Sequence, residues 1–267
     1  MITAVDVGAT KTLIAQFNDA GEPVNHLRFE TPSIAADWIR LFNQHMTNLK
    51  DVTSLAIGLP GQVSGDGSTV LYCGNLPWRD IPLKKMLSNT YTCPIYLEND
   101  AAMAGLSEIN ALPQLPRVGF YLTLGTGIGG AIIVDGKLIS GLNRCEPGHM
   151  LLKHGATWKE WEDLASGKAI VAHYGKLAQD LHAAEEWQWL AENVAQGLMP
   201  VIATILPQTV VVGGGVGHYF GMFQGYLAEK LHRRLPDYLP VPTLLAAKRA
   251  DEAVLYGCYH HATHQTA

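Results

Sequence analysis

The sequence has few cysteines, a low content of charged residues and no long apolar run. Its 4 cysteines are spread over 267 residues, none of them in a C-x-x-C pair, and no secretory signal precedes them. Isolated cysteines in such a chain are typical of reduced thiols, so we expect a cytoplasmic protein without a disulfide framework. No stretch reaches the ~20 apolar residues that a membrane span needs, and we expect no membrane partner.

The charge balance and the composition narrow the class further. Charged residues make up 16% of the chain, and the net charge of −5 leaves no basic footprint for nucleic acid. With 48% apolar residues the chain has ample material for a core. Its length suits one large domain or two smaller ones. We therefore expect a globular enzyme that does not bind nucleic acid.

An internal repeat divides the chain. "AVDVGATKTLIAQFNDAG" and "YLTLGTGIGGAIIVDG" each consist of an apolar strand, a turn with Gly and Thr, a second apolar strand and a hairpin turn with Asp and Gly. The proline-bounded loop "LPQLPR" precedes the second copy. We predict a boundary near Pro116, with domains 1–116 and 117–267, and a ligand cleft between the halves. The last helix, about 251–264, is expected to pack back on the N-terminal lobe.

The stretch "TLGTGIGG" contains the spacing G-x-G-x-x-G at Gly125, Gly127 and Gly130. In a dinucleotide-binding fold these glycines open into a helix. Here they are followed by "AIIVDGKLI", a β-branched run that ends in a hairpin turn. The lysine and the hydroxyl of a Walker A loop are also missing. Neither of these nucleotide-binding folds is therefore favoured.

A glycine turn between antiparallel strands can still bind phosphate, because its backbone N–H groups can converge on an anion. Thr126 would add a hydroxyl donor to this turn, and the related turn near the N-terminus is flanked by Asp6 and Lys11. The alternative is a tight turn that serves only the fold. Two related turns with the same residue types favour a clamp around a nucleotide.

Five motifs occur in a fixed order along the chain: "DVGATKT", "LENDAAMAG", "LGTGIGG", "EPGH" and "VVVGGGV". Together they resemble the ROK family of bacterial sugar kinases, named for repressors, open reading frames and kinases, over essentially the whole chain. The resemblance implies an α/β protein with the actin-like ATPase (ribonuclease H-like) fold, in which two lobes surround a central cleft. It also implies transfer of phosphate from ATP, with Mg²⁺, to a hydroxyl of a hexose or N-acetylhexosamine.

The resemblance assigns the chemistry to acidic residues at strand ends. Asp100, at the strand-to-helix junction in "LENDA", would be the base that phosphoryl transfer to an alcohol requires. Its alternative role is the N-cap of the helix. Asp6 would position Mg²⁺ through a water molecule. The alternative, a satisfied core carboxylate, is less favoured because burying a carboxylate between apolar strands is costly.

The resemblance places the nucleotide on three glycine-containing loops. Their residues are Gly8, Ala9, Thr10 and Lys11, then Gly125, Thr126 and Gly127, and finally Gly213, Gly214 and Gly215. Thr10 and Lys11 would approach the transferring phosphoryl group, although a surface lysine is the alternative for Lys11. The third loop would let the backbone approach the adenosine or the α-phosphate, and an ordinary turn at a helix entry is its alternative.

The sugar is expected on a second group of polar residues. The resemblance implies Glu146, His149 and Glu162, with Asn75 and Asn99. For His149 alone a core histidine is the alternative, and Glu162 could be solvated together with Glu160. The "N-L-x-W" form around Asn75 resembles that of glucokinase-like members. A kinase of N-acetylmannosamine or N-acetylglucosamine is the alternative.

One segment departs from the family pattern. Most members carry a C-x-C-G-x-x-G-C loop whose three thiolates join a histidine to bind a structural zinc, whereas "LLKHGATWKEW" contains no cysteine. Only His149 and His154 are near, and tetrahedral zinc requires four ligands. We therefore expect no structural zinc, and we expect Trp158 and Trp161 to close the short loop by packing.

Two further hypotheses compete with an ATP-dependent kinase. A sugar-binding regulator of the same family needs an N-terminal helix-turn-helix module, whereas here the first strand begins within a few residues of Met1. A polyphosphate-using kinase favours a basic track, which a net acidic chain does not provide. The leading hypothesis is a glucokinase-like enzyme whose partner is a small-molecule sugar. The sequence leaves the oligomeric state open, a homodimer included.

Overall fold

The structure, a computed structural model, describes residues 1–249 and 252–266, the last of these in its backbone only. These residues form two compact units. The first unit contains Met1–Ser107, Lys137–Arg144 and the described part of the C-terminal segment, and the second contains the remainder, from Glu108 onward.

The predicted domain limits can be set beside these units. Pro116, the predicted boundary, falls inside the second unit. Residue 251 of the predicted last helix lies outside the described residues. The helix itself is described from Ala253, and it belongs to the first unit.

The elements are numbered in chain order. The strands are β1 (Ile2–Val7), β2 (Lys11–Phe17), β3 (Pro23–Glu30), β4 (Ser54–Leu59), β5 (Gly61–Val63), β6 (Val70–Cys73), β7 (Arg79–Ile81), β8 (Ile95–Asn99), β9 (Val118–Leu124), β10 (Ile128–Val134), β11 (Lys137–Leu138), β12 (Leu151–His154), β13 (Thr157–Glu160), β14 (Thr209–Gly213) and β15 (Thr243–Ala246). The helices are α1 (Ala35–Met46), α2 (Leu83–Ser88), α3 (Asp100–Asn110), α4 (Glu162–Ala165), α5 (Gly167–Tyr174), α6 (Ala184–Ile205), α7 (Gly214–Gly217), α8 (Phe220–Arg234) and α9 (Ala253–Thr266). Short 3₁₀ turns occur at Pro147–His149 and Ala178–Asp180.

The first unit is built on a five-stranded sheet with the order β3-β2-β1-β4-β8. β1 pairs antiparallel with β2 and parallel with β4, and β4 is parallel to β8. Successive residues of a strand point to opposite faces. Val5 accordingly belongs to the apolar cluster that contains Trp38 and Phe42 of α1, whereas Ala4 belongs to the cluster that contains Cys258 of α9. Helices therefore cover both faces of the sheet.

The second unit repeats this plan. β9 pairs antiparallel with β10 and parallel with β14, and β14 is parallel to β15. The core combines strand residues such as Leu122 and Val212 with aromatic residues of two long helices, Trp187 of α6 and Phe223 of α8. An antiparallel hairpin followed by parallel strands thus occurs in both units, in agreement with the two related stretches of sequence.

The segment "DWIRLFNQHMTNL" has apolar residues at helical spacing, and its residues 37–46 lie in α1. Trp38, Phe42 and Met46 are buried on one side of the helix. In the described part of the chain, none of the helices combines the length and the apolar character that crossing a bilayer requires.

The packing of α9 generates a stability prediction. A Cβ atom at Gly257 would overlap the backbone carbonyl group of Met103 in α3. We expect Gly257→Ala to lower the free energy of unfolding by about 1–3 kcal/mol, the usual cost of forcing an extra methyl group into a packed interior.

The control is Gly225→Ala in α8, where a Cβ atom would meet no atom within 4 Å. Alanine should raise the stability there by about 0.5–1 kcal/mol, because glycine in a helix loses more backbone entropy on folding. Denaturant unfolding followed by circular dichroism measures both changes. A Gly257→Ala protein as stable as the wild type would show that α9 can move away from α3 at no cost.

Candidate functional site

The junction of β8 and α3 carries two of the predicted residues. Asn99 Oδ1 accepts a hydrogen bond from the backbone N–H of Ala102 at 3.0 Å, which is the geometry of an N-cap, and Asn99 Nδ2 donates to the carbonyl oxygen of Gly61 at 2.8 Å. Asp100 Oδ1 accepts from the backbone N–H of the adjacent Ala101 at 2.7 Å. The bond from Ala102, three residues on, identifies Asn99 as the residue that caps α3.

Further predicted residues lie at the same edge of the first sheet. Because β1, β4 and β8 are parallel, their carboxyl ends share one edge, and Asp6 is the last but one residue of β1. The turn that holds Asn75, between β6 and β7, is tied to this edge by the hydrogen bond from Gly74 N–H to the Pro60 carbonyl at 3.1 Å. Asp6, Asn99 and Asp100 thus share this edge of the first sheet, and the turn that contains Asn75 is attached next to it.

The loop between β1 and β2 follows directly. Gly8 N–H donates to the Lys11 carbonyl at 2.9 Å and closes a tight turn, while Ala9 and Thr10 at its tip are exposed. The Thr10 carbonyl in turn accepts from Thr31 N–H at 3.0 Å. The loop is therefore fixed by backbone bonds and presents its tip to solvent.

A buried carboxyl group that the sequence did not single out lies on β8, with β4 between it and β1. Glu98 is in register with Gly58 of β4, which is in register with Asp6. Burial raises the pKa of Glu98, and the opposing contribution comes first from the backbone N–H of Asn99. Asn143 Nδ2 also donates to Glu98, at 2.5 Å. Glu98 therefore ties the segment around Asn143 to the first sheet.

In the second unit the turn Gly125–Gly127 joins β9 to β10; we refer to it as the Gly125 turn. Gly125 N–H donates to the Gly127 carbonyl at 3.0 Å. The start of α5 holds the outside of the turn, because Gly167 N–H donates to the Gly125 carbonyl at 2.7 Å and Lys168 N–H donates to the Thr126 carbonyl at 3.3 Å. The shape of the turn is therefore set by α5 as well as by its own strands.

The glycines after β14 approach the Gly125 turn from another strand. Gly214 has a φ of +84°, and a Cβ atom there would lie 2.5 Å from the carbonyl oxygen of Leu124. Only glycine combines a favourable positive φ with the absence of a Cβ atom that would clash with this carbonyl group. Gly213 is the last residue of β14. Gly215 is the second residue of α7, and a Cβ atom there would meet no other atom within 4 Å. The close approach of these residues to the end of β9 creates one wall of a cavity.

This cavity, which we call the Gly125 cavity, has a volume of about 720 Å³, within the usual range of small-molecule sites. Its lining includes Gly125, Thr126 and Gly215, all predicted residues. The rest of the lining is mostly apolar and comes from α5, the following 3₁₀ turn and α7–α8. Its members are Val171, Ala172, Leu177, Ala178, Val216 and Tyr219, with Lys168 and Gln179 as the polar ones. A flat apolar group with an anionic tail matches this lining.

A polar cluster lies on the other side of the Gly125 turn. His149 Nδ1 is 2.8 Å from Glu160 Oε2, and Glu162 Oε2 accepts from Ile128 N–H at 3.3 Å. The ligating atoms of His149, Glu160 and Glu162 all lie within 4.8 Å of one another, the one such group of three in the described residues. Glu146 also acts on the His149 charge. The structure therefore brings together the predicted residues Glu146, His149 and Glu162.

Glu160 is the member of this cluster that the sequence left as a solvated residue. The hairpin of β12 and β13 pairs Leu151 with Glu160, so that Glu160 returns to the chain segment that follows His149. Hydrogen bonding to Glu160 is the first cause of a raised pKa at His149. The sequence signal for this contact is the "HGAT" turn, which predicts a hairpin. The register of that hairpin determines that Glu160 contacts His149.

The expected packing of the short loop is partly wrong. Trp161 is fully buried, and its Nε1 donates to the Asn193 carbonyl at 3.1 Å. Trp158, by contrast, is 66% exposed. It lies in the middle of β13, opposite Lys153 in a two-stranded hairpin that no third strand extends in the described structure. The absence of a structural zinc stays a prediction.

The contact between Glu160 and His149 leads to a test by titration. Because the folded-state pKa of His149 is raised above 6.5, the stabilisation from this pair is present below pH 6.5 and is lost as the pH rises through the raised value. Glu160→Gln removes the charge and should lower the pKa of His149 towards its ordinary value. NMR titration of the imidazole ring measures this change.

Glu229→Gln is the matched control, since Glu229 pairs with Arg233 at 3.6 Å on the surface of α8 and its loss should leave His149 unchanged. A His149 pKa that is the same in Glu160→Gln and in the wild type would contradict the observed pairing.

Comparison with known proteins shows which sequences and structures this chain resembles. The model of the ROK family matches residues 2–264. An N-acetyl-D-glucosamine kinase of Vibrio parahaemolyticus is 29% identical over 96% of this chain and 98% of its own length, and a fructokinase of Streptococcus mutans is 29% identical over 72% of this chain and 71% of its own. The ROK family glucokinase from Streptomyces griseus, solved in complex with glucose and AMPPNP, has a TM-score of 0.78 at 25% identity, covering 96% of this chain and 97% of that chain.

These matches confirm the predicted α/β class and the actin-like ATPase fold with two lobes. The family model extends over nearly the whole chain. The chain belongs to the ROK family.

Proposed function

We propose that the protein is a sugar kinase that transfers the γ-phosphoryl group of ATP to a hydroxyl group of a hexose or N-acetylhexosamine. The observation that carries this proposal is the Gly125 cavity, whose lining combines a glycine turn with apolar side chains. The related kinases act on hexoses and N-acetylglucosamine, and the related glucokinase was solved with an ATP analogue. A nucleoside with a phosphate tail fits this lining, because the apolar side chains suit the base and the glycine turn suits the phosphates.

In this proposal the phosphates of the nucleotide are bound mainly by backbone N–H groups, and its base is bound by apolar side chains. The N–H groups of Thr126 and Gly127 and the Thr126 hydroxyl bind phosphate oxygens, while the apolar side chains of the lining, such as Val171 and Tyr219, contact the base. Gly213, Gly214 and Gly215 let the backbone approach the adenosine. In the first unit, the loop of Gly8, Ala9, Thr10 and Lys11 binds the phosphoryl group that is transferred.

Asp100 is assigned as the base. Since Asn99 caps α3, the carboxylate of Asp100 is not needed for that purpose. In a loose phosphoryl transition state the base orients the hydroxyl nucleophile and accepts its proton. Asp100 would therefore hold the sugar hydroxyl in line with the γ-phosphorus. It would take the hydroxyl proton as the new P–O bond forms and the bond from the γ-phosphorus to the bridging oxygen of ADP breaks, so that ADP leaves.

Asp6 is assigned to Mg²⁺. This ion keeps several of its waters and is typically held by one or two carboxylates with substrate phosphates. A single carboxylate at the end of β1, beside the loop that we assign to the phosphoryl group, fits that requirement. When bound, Mg²⁺ supplies positive charge that offsets the charge developing on the phosphate oxygens.

The sugar is assigned to Glu146, His149 and Glu162, with Asn75 and Asn99. Glu160 occupies Nδ1 of His149, so Nε2 is the ring atom left to bond a sugar hydroxyl. Both polar atoms of the Asn99 side chain already have a backbone partner. Asn99 therefore has one N–H and one oxygen lone pair left for a hydroxyl group.

The identity of the sugar is proposed as glucose-like. The "N-L-x-W" form supports this choice, but Trp78 is 1% exposed and its Nε1 donates to the Ser33 carbonyl at 2.9 Å. Trp78 therefore positions the loop, and Asn75, which is exposed, is the residue able to contact a ligand. Kinases of N-acetylmannosamine or N-acetylglucosamine are the alternative. The four cysteines are free, in agreement with the cytoplasmic location that we propose.

The activity is tested by coupled ADP release against a panel of hexoses and N-acetylhexosamines. We expect turnover with at least one sugar in the presence of Mg²⁺ and ATP, with the highest kcat/KM for glucose or a close analogue. EDTA should abolish turnover, and excess Mg²⁺ should restore it. ADP release no greater than without sugar, across the whole panel, would refute the kinase proposal.

The role of Asp100 is tested by Asp100→Asn. Asparagine retains an oxygen that can accept from Ala101 N–H, so the protein should stay folded, but the side chain cannot accept the proton. We expect kcat to fall by roughly 10²-fold or more, the range for loss of a general base, with a much smaller change in sugar affinity. Steady-state kinetics and thermal melting measure the two effects.

Asp37→Asn is the control, because Asp37 lies in the first turn of α1 and pairs with Arg40 on the surface. It should retain normal kcat. A folded Asp100→Asn protein with near-normal kcat would remove Asp100 from the chemistry.

A further inference from the structure

The Gly125 cavity has a charged side chain that the family motifs do not assign. Lys168 lines the cavity beside Thr126, and every other residue of the lining is uncharged. Glycine backbone offers partial charges only. A nucleoside di- or triphosphate carries several negative charges, so Lys168 is the residue of this lining that can offset them with a full positive charge.

The backbone of Lys168 is held next to the Gly125 turn. Ser166 caps α5 by accepting from Ala169 N–H at 3.3 Å. Gly167 and Lys168 then donate to the carbonyls of Gly125 and Thr126. A Cβ atom at Gly167 would lie 2.8 Å from the Gly125 carbonyl oxygen, so the two segments are at closest approach. The root of the Lys168 side chain is therefore fixed beside the turn.

The ammonium group of Lys168 is not paired with a carboxylate. In the described part of the second unit, Lys176 pairs with Glu186 at 2.8 Å and Lys230 pairs with Glu192 at 2.9 Å, whereas Lys168 has no such partner. An unpaired lysine keeps its charge available for a ligand. Lysine is also a common phosphate binder, acting as a flexible point charge.

We propose that Lys168 binds the phosphates that ATP and ADP share, and so determines the affinity for the phosphate tail of the nucleotide. This inference rests on the proposed function, because it assigns the cavity to a nucleotide. The Gly125 turn and the start of α5 then act as one unit, in which the turn contributes backbone N–H groups and α5 contributes the charge.

Calorimetric titration with ADP and with adenosine tests the proposal. Loss of a hydrogen bond to a charged group corresponds to a roughly tenfold or larger loss of affinity, so Lys168→Met should raise the Kd for ADP by at least about that factor. Adenosine has no phosphate, and its Kd should stay unchanged. Lys168→Arg keeps the charge and should restore most of the affinity for ADP.

Steady-state kinetics provide a second measure. In Lys168→Met the KM for ATP should rise by a similar factor, while kcat and the KM for the sugar stay close to wild type. Lys153→Met is the control, because Lys153 is an exposed lysine of β12 in the same unit, and it should change neither Kd.

Each result decides between the proposals. An unchanged Kd for ADP in Lys168→Met would overturn the role of Lys168 and leave the kinase proposal intact. An equal loss of affinity for adenosine would also overturn it, since it would show that the side chain supports the cavity and does not bind phosphate. Wild-type protein that binds neither ADP nor adenosine would overturn both proposals.

Discussion

The hydrogen bond from Gly167 N–H to the Gly125 carbonyl joins two backbone segments that are separated by more than a whole hairpin in sequence. It fixes the outer side of the Gly125 turn, and it places the first residues of α5 against that turn. Within the turn Gly125 N–H donates to the Gly127 carbonyl, so the N–H groups of Thr126 and Gly127 are the ones that we assign to an anion. If the two segments moved apart, the cavity wall, the start of α5 and the contact of Glu162 with Ile128 would all change together.

Local sequence patterns predicted the parts of this structure that local physics determines. The two strand–turn–strand stretches were recognised because alternating apolar residues and a Gly–Thr turn leave few other conformations. The buried face of α1 likewise matches the spacing of its apolar residues. The predicted residues of the second unit also lie close together, because each of them flanks an element of the same sheet or hairpin. They are Glu146, His149 and Glu162, with Gly125, Thr126 and Gly127.

The remaining features depend on contacts that sequence patterns do not encode. Asn99 and Asp100 are adjacent and both can cap a helix, so only the bond to Ala102 N–H shows which of them does. Glu160 and Trp158 lie on the same side of a hairpin whose register fixes both, one beside His149 and the other in solvent. Residues 137–144 belong to the first unit, where Asn143 donates a hydrogen bond to Glu98. The periodicity of apolar residues in the sequence does not predict this contact.

The position of α9 has a consequence for the order in which the protein is made. α9 packs into the apolar cluster that includes Ala4 of β1 and Ala56 of β4, so the first unit needs residues from both ends of the described chain. During synthesis the strands of the second unit leave the ribosome before α9 does. The second unit can therefore complete its sheet first. Meanwhile the side of the first unit's sheet that α9 later covers stays uncovered. Nascent protein would expose that apolar surface to chaperones until α9 has been translated.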